Sequence, residues 1–122
     1  MFAAARNTEE AGSLTIMATA LIETNSLIDE IIYQEFRGIA NMELVLDRKI
    51  SGANIYPAVD IFKSSSRHEK LVLPEGDLEK INVIRHGLIG FKPIEVIERL
   101  LFLLRKYPTN SEMLKAIPRL ST

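Results

Sequence analysis

Residues 13–22 read SLTIMATALI, and the reading of this run decides the fold. It is apolar almost without a break and rich in β-branched and small side chains. That is the composition of a strand buried on both faces, as in a parallel sheet covered by helices. It predicts an α/β fold. The chain then supplies a polar loop, Thr24-Asn25-Ser26, which can cap a helix. In LIDEIIYQEF, Leu27, Ile28, Ile31, Ile32 and Phe36 fall at helical spacing. Asp29 and Glu30 lie in the first turn, where the helix dipole favours them, and Gly38 is the expected stop.

Further along, NMELVLDR alternates Met42, Leu44 and Leu46 with Glu43, Val45 and Asp47, the pattern of a strand with one wetter face. Lys49 to Asn54 reads as a basic connection. Tyr56 to Phe62 is a third strand candidate, and Pro57 places it at an edge or a strand start. Three serines and Arg67 then form a polar turn, followed by the apolar LVLP. Asp77 can cap a helix carrying Leu78, Ile81, Ile84 and Leu88, ending near Gly87 and Gly90. Pro93 suits the first turn of IEVIERLLFLLRKY, in which Glu95, Arg99 and Lys106 share a face, and Pro108 stops it. Residues 109–120 predict a short final helix.

This order, strand, helix, strand, strand and three helices, is the tail half of an α/β unit. The first strand needs neighbours on both sides, and FAAARNTEEAG reads as mid-domain helix and loop, so the chain is expected to be truncated. The expected division is a partial core over 1–75 and a helical segment over 76–122.

The 122 residues are enough for one domain with a real core, and 47% of them are hydrophobic. With 15 basic and 16 acidic residues the net charge is −1, which argues against a chain that grips nucleic acid by itself. The lack of cysteine excludes disulfides and thiolate metal sites and fits a cytoplasmic protein. LTIMATALI is too short to span a bilayer and carries no cleavage pattern.

No Gly-x-x-x-x-Gly-Lys-Ser/Thr loop occurs, nor an apolar strand ending in the acidic pair that would hold magnesium. His68 and His86 have no metal-ligand spacing. Asp29, Glu30, Glu35 and Asp47 are enough acids for a hydrolase, but nothing in the sequence pairs them, and most read as surface charges. Unaided, the chain has no complete catalytic apparatus.

The run GSLTIMATALIETNSLIDEIIYQEFRGIANMELVLDRKI, continued by IYPAVDIFKSSSRHEKLVL, resembles the C-terminal part of the ATPase domain in the family of transcription termination factor Rho. The resemblance is clear over residues 2–73. It implies the C-terminal portion of a RecA-like P-loop ATPase domain, with few strands followed by a helical tail. It also implies a ring-shaped hexamer that uses ATP and magnesium to translocate on RNA as a helicase and dislodge RNA polymerase. On this resemblance Arg67 matches the arginine finger that reaches the γ-phosphate bound by the neighbouring subunit. Such fingers are worth about 10³–10⁵ in rate. Tyr56 matches the aromatic residue that stacks on adenine. Thr24, Asn25 and Ser26 match the RNA-contacting pore loop.

Four departures stand against this. Leu27 replaces the pore-loop lysine, and Asn54 replaces a second arginine of the nucleotide site. Ser64-Ser65-Ser66-Arg67 replaces Ser-Gly-Thr-Arg, and Gly38-Ile39-Ala40 replaces Gly-Thr-Gly. Two functions remain open. One is part of a Rho-type ATP-dependent RNA translocase in transcription termination, supplying the finger and the stacking residue. The other is a catalytically silent remnant or interaction module that docks on intact subunits of the family.

Overall fold

The computed structural model describes residues 1–118, which divide into two units between Glu43 and Leu44. In the first, a 3-10 turn (Phe2–Ala4) leads into a hairpin of β1 (Arg6–Thr8) and β2 (Gly12–Leu14). The strands are antiparallel, with Arg6 opposite Leu14 and Thr8 opposite Gly12. Gly12 turns the chain at φ +83°, and its carbonyl accepts the Thr8 hydroxyl at 2.7 Å.

The strand expected over 13–22 stops at Leu14. Beyond it the run has no regular structure, and Met17 is 93% exposed. A strand buried on both faces needs a ladder on each side for its N–H and C=O groups. Among the described residues no sheet has more than two strands, so the parallel sheet is absent and the apolar run lies open.

Helix α1 (Leu27–Ile39) forms as its spacing predicts, and Asp29 N–H donates to the Ser26 cap at 3.4 Å. It continues through Gly38, which ends a helix only when it adopts positive φ. Phe36 packs edge-to-face on Phe2, with ring centroids 5.0 Å apart. The Tyr33 hydroxyl donates to Glu43, and Arg37 pairs with the same carboxylate at 3.2 Å. The apolar stripe of α1, Ile28, Ile31, Ile32 and Ile39, is exposed. A two-residue strand, β3 (Met42–Glu43), closes this unit.

The second unit opens on residues 45–47, which run antiparallel to 58–60 through the single bridge Leu46–Val59. Asp47 N–H donates to the Ala58 carbonyl and Asp60 N–H to that of Val45, both at 2.9 Å. The expected strand over 56–62 is thus reduced to one bridged residue. Pro57 has no N–H for a ladder, and a cis peptide bond joins it to Tyr56.

Asp60 shapes the next turn of the chain, because its side chain is buried, at 3% exposure. Its Oδ1 accepts the N–H groups of Phe62 (3.0 Å) and Lys63 (3.1 Å), and Oδ2 pairs with Lys63 Nζ at 3.7 Å. Its main-chain carbonyl accepts the Ser64 hydroxyl at 2.7 Å, and Ser64 Oγ in turn accepts Val45 N–H at 3.0 Å. The turn 60–64 is therefore clamped to Val45 and leads directly into β4 (Ser65–Ser66).

Asp47, expected within a strand, instead caps α2 (Arg48–Gly52), accepting from Lys49 N–H at 2.6 Å and Ile50 N–H at 3.3 Å. A side-chain oxygen that can satisfy two orphan donors favours the cap over the strand. Of the apolar LVLP only Leu71 has helical structure, as the last residue of a 3-10 turn (Glu69–Leu71).

Three helices complete the unit: α3 (Glu75–Leu88), α4 (Pro93–Lys106) and α5 (Asn110–Ala116). α3 starts two residues before the expected cap Asp77, because Pro74, with its φ already fixed, opens it. It ends at Leu88, and Gly90 turns away at φ +92°. α4 has Pro93 at its first position, and Glu95 reaches back to the Lys92 N–H. Thr109 caps α5, accepting from Glu112 N–H at 3.2 Å. The last residues of the expected 109–120 helix, 119 and 120, lie outside the described residues.

The core is Val45, Ile50, Leu88, Val96, Ile97, Met113 and Leu114, with Ile50 at 0% exposure. All seven belong to the second unit. Replacing Asp60 by Ala strips a buried acceptor from two N–H groups, a change that costs about 1–3 kcal/mol. Asp60→Asn keeps the acceptor and loses only the ion pair with Lys63. The expected order of urea midpoints, followed at the Ile50 methyl signals, is wild type, then Asp60→Asn, then Asp60→Ala well below both.

Candidate functional site

The clamp at Asp60 ends where the first candidate residue begins. Arg67 follows β4, is exposed, and stands immediately before His68, whose backbone is left-handed at φ 56°. A short polar turn of this kind has little packing of its own, so its placement depends on its two ends. On one side Ser64 is tied to Asp60 and Val45. On the other, Glu69 forms a bidentate pair with Arg85 of α3, at 2.5 and 2.8 Å. Arg85 is oriented further by Asn82 Oδ1 at 3.3 Å. The hydrogen bonds from Arg85 hold the Glu69 carboxyl below its usual range, and Glu69 holds the guanidinium above its own.

Tyr56 occupies a second place in the same unit. The left-handed Asn54 and the bond from Ile55 N–H to the Ile50 carbonyl bring the chain off the end of α2. There the Tyr56 ring is 63% exposed, with its hydroxyl 3.2 Å from Ser51 Oγ. It lines an open cleft of about 470 Å³ with two walls. One is Asn54, Ile55 and Tyr56. The other is a face of α4: Glu98, Leu101, Phe102 and Arg105.

The third candidate lies in the first unit. Thr24 Oγ1 donates to Asp29 Oδ2 at 2.6 Å and accepts Ser26 N–H at 3.3 Å, while Ser26 caps α1. Two of the three polar side chains of the loop are thus engaged in starting the helix. Asn25 sits in a left-handed conformation at φ 59°. Leu27 presents an alkyl chain at the surface.

Arg67 and Tyr56 therefore sit on one scaffold, at different places on it. Three contributors were not singled out from the sequence: the Asp60 clamp, the Glu69–Arg85 pair and the α4 wall of the cleft. The wall has a legible signal, since Glu98, Leu101, Phe102 and Arg105 recur at helical i, i+3, i+4, i+7 spacing. The ion pair, sixteen residues apart, has none.

Among the described residues no group of His, Cys, Asp or Glu side chains could hold a metal ion. The magnesium implied by the resemblance has no ligand set among those residues. No helix among the described residues is long and apolar enough to cross a membrane.

Residues 3–66 match the ATP synthase alpha/beta family, nucleotide-binding domain. Transcription termination factor Rho of Aquifex aeolicus is 51% identical over 116 residues, which are 95% of this chain and 27% of that protein. The Rho of Pseudomonas aeruginosa is 47% identical over 118 residues, 97% of this chain and 28% of the relative. That of Thermotoga maritima is 45% identical over the same shares. The chain thus spans a little over a quarter of the length of these relatives.

The depressed Glu69 carboxyl fixes a pH dependence. Its contribution to stability is fully present above the unfolded carboxylate pKa, about 4.3, and is lost as pH falls through the lower folded value. The pair is partly exposed, so that contribution is at most about 1 kcal/mol. The stability gap between wild type and Glu69→Gln, from urea titrations, is expected to be constant from pH 6 to about 5 and to close below about 4.

Proposed function

Because the chain belongs to the ATP synthase alpha/beta family through its nucleotide-binding domain, we propose that it is part of a Rho-type ATP-dependent RNA translocase acting in transcription termination. The reading rests on Arg67, an exposed guanidinium on a turn braced by Ser64 before it and Glu69 after it. Arginine is always charged and presents a rigid fork of donors to phosphate. Offered to a γ-phosphate bound by a neighbouring subunit, it stabilises the charge that builds on the transferring group.

Tyr56 supplies a flat exposed face for adenine in the same function, and its bond to Ser51 orients the ring. ATP, when bound, supplies the phosphoryl group whose transfer drives the motor. The loop Thr24–Ser26 is the RNA-facing element, with weak grip, because Leu27 brings no charge to a phosphate. Residues 1–75 then serve as the ATPase-core part and 76–122 as the helical tail. Rho-type subunits, RNA and RNA polymerase are the partners in this reading, and the compartment is the cytoplasm.

A second reading has its own support: Leu27 and Asn54 stand where charged contacts are expected, and the phosphate loop is absent from these 122 residues. The chain would then dock on intact Rho-type subunits without contributing to turnover.

Complementation in trans separates the two. The chain is mixed with Aquifex aeolicus Rho in which the arginine matching Arg67 has been replaced by Ala, and RNA-stimulated ATP hydrolysis is followed. The first reading expects turnover to return with the wild-type chain and not with Arg67→Ala, a gap of at least about 10³. It fails if the two chains act alike. If neither restores turnover, and excess chain slows unaltered Rho, the silent docking reading stands instead.

A further inference from the structure

The cleft at Tyr56 has a second wall that the family reading does not use. Phe102 is 67% exposed and Tyr56 63%, and both line the same cleft from different elements. Two large aromatic faces left in water across one opening are suited to a flat ring between them, since bases stack on aromatic side chains regardless of identity.

The charges on α4 point to the same ligand. The helix carries three basic residues, Arg99, Arg105 and Lys106. Arg99 lies over the Phe91 ring at 3.8 Å, and Lys106 over that of Tyr107 at 5.5 Å. Arg105 makes no such contact and no ion pair among the described residues, and it is the one that lines the cleft. A guanidinium with no ion pair among the described residues, beside two exposed rings, fits a molecule with a heteroaromatic base and an anionic tail.

We propose that Phe102 and Arg105 of α4 are nucleotide-binding residues, Phe102 closing on the face of the base opposite Tyr56 and Arg105 taking a phosphate. The proposal rests on the reading of Tyr56 as the adenine-stacking residue and extends the site to the helical tail.

The test uses the 122-residue chain, with adenosine and ATP as probes in saturation-transfer NMR. Both ligands are expected to receive saturation at their base protons. Phe102→Ala is expected to weaken both by roughly fivefold or more, the loss of one stacking face. Arg105→Gln is expected to weaken ATP and leave adenosine unchanged. Both side chains are exposed, and unchanged Ile50 and Val96 methyl signals check the fold. If both variants bind as wild type while Tyr56→Ala binds weakly, the α4 wall is not part of the site and the stacking role of Tyr56 stands. If Phe102→Ala and Arg105→Gln bind weakly while Tyr56→Ala does not, α4 carries the site and the role given to Tyr56 falls. No binding of either probe at millimolar concentration overturns the proposal.

Discussion

A buried carboxylate holds the second unit in register. Asp60 is taken out of water, which is costly for a charge unless its oxygens are satisfied. They are satisfied by two backbone N–H groups and Lys63, while its carbonyl and N–H engage Ser64 and Val45. No buried side-chain polar atom among the described residues lacks a hydrogen bond. With a ladder of only one bridge between 45–47 and 58–60, this polar clamp takes the place of the strand pairing found in a wider sheet. The turn that presents Arg67 is an extension of it.

The two candidate positions of the second unit depend on different kinds of restraint. Arg67 sits on a span defined by hydrogen bonds and an ion pair, with no buried apolar side chain between Asp60 and His68. Tyr56 is held by its neighbours along the chain, above all the turn at Asn54 and the fully buried Ile50, which roots α2 in the core. Changes in salt or pH act on the first restraint far more than on the second, because exposed ion pairs are screened and apolar burial is not.

How much of the fold and the site was legible depends on how local each interaction is. The four longer helices were readable because their spacing and end signals lie within a few residues, and Pro93 and Pro108 bracket α4 closely, whereas the short α2 lies in a stretch expected to be a basic connection. The run 13–22 carries the composition of a buried strand, but a strand is made by its partners, and the described residues supply one for Ser13 and Leu14 only. Asp47 and Asp60 were read as positions in strands because alternation in pattern says nothing of a carboxylate that bonds the backbone beside it. Arg67 and Tyr56 came to notice through resemblance. The face of α4 opposite Tyr56 was present as a periodicity and was absorbed into the ordinary amphipathic pattern of a helix.

The uneven distribution of buried side chains has a thermodynamic consequence. Every fully buried apolar residue among those described lies beyond Glu43, while the hairpin and α1 are held by one aromatic contact, a cap and a few polar bonds. Cooperativity comes from shared burial, and the region before Leu44 has no buried apolar side chain among the described residues to supply it. Amide protons of α1 should exchange with solvent long before those of α4, and a single transition temperature would describe only the latter.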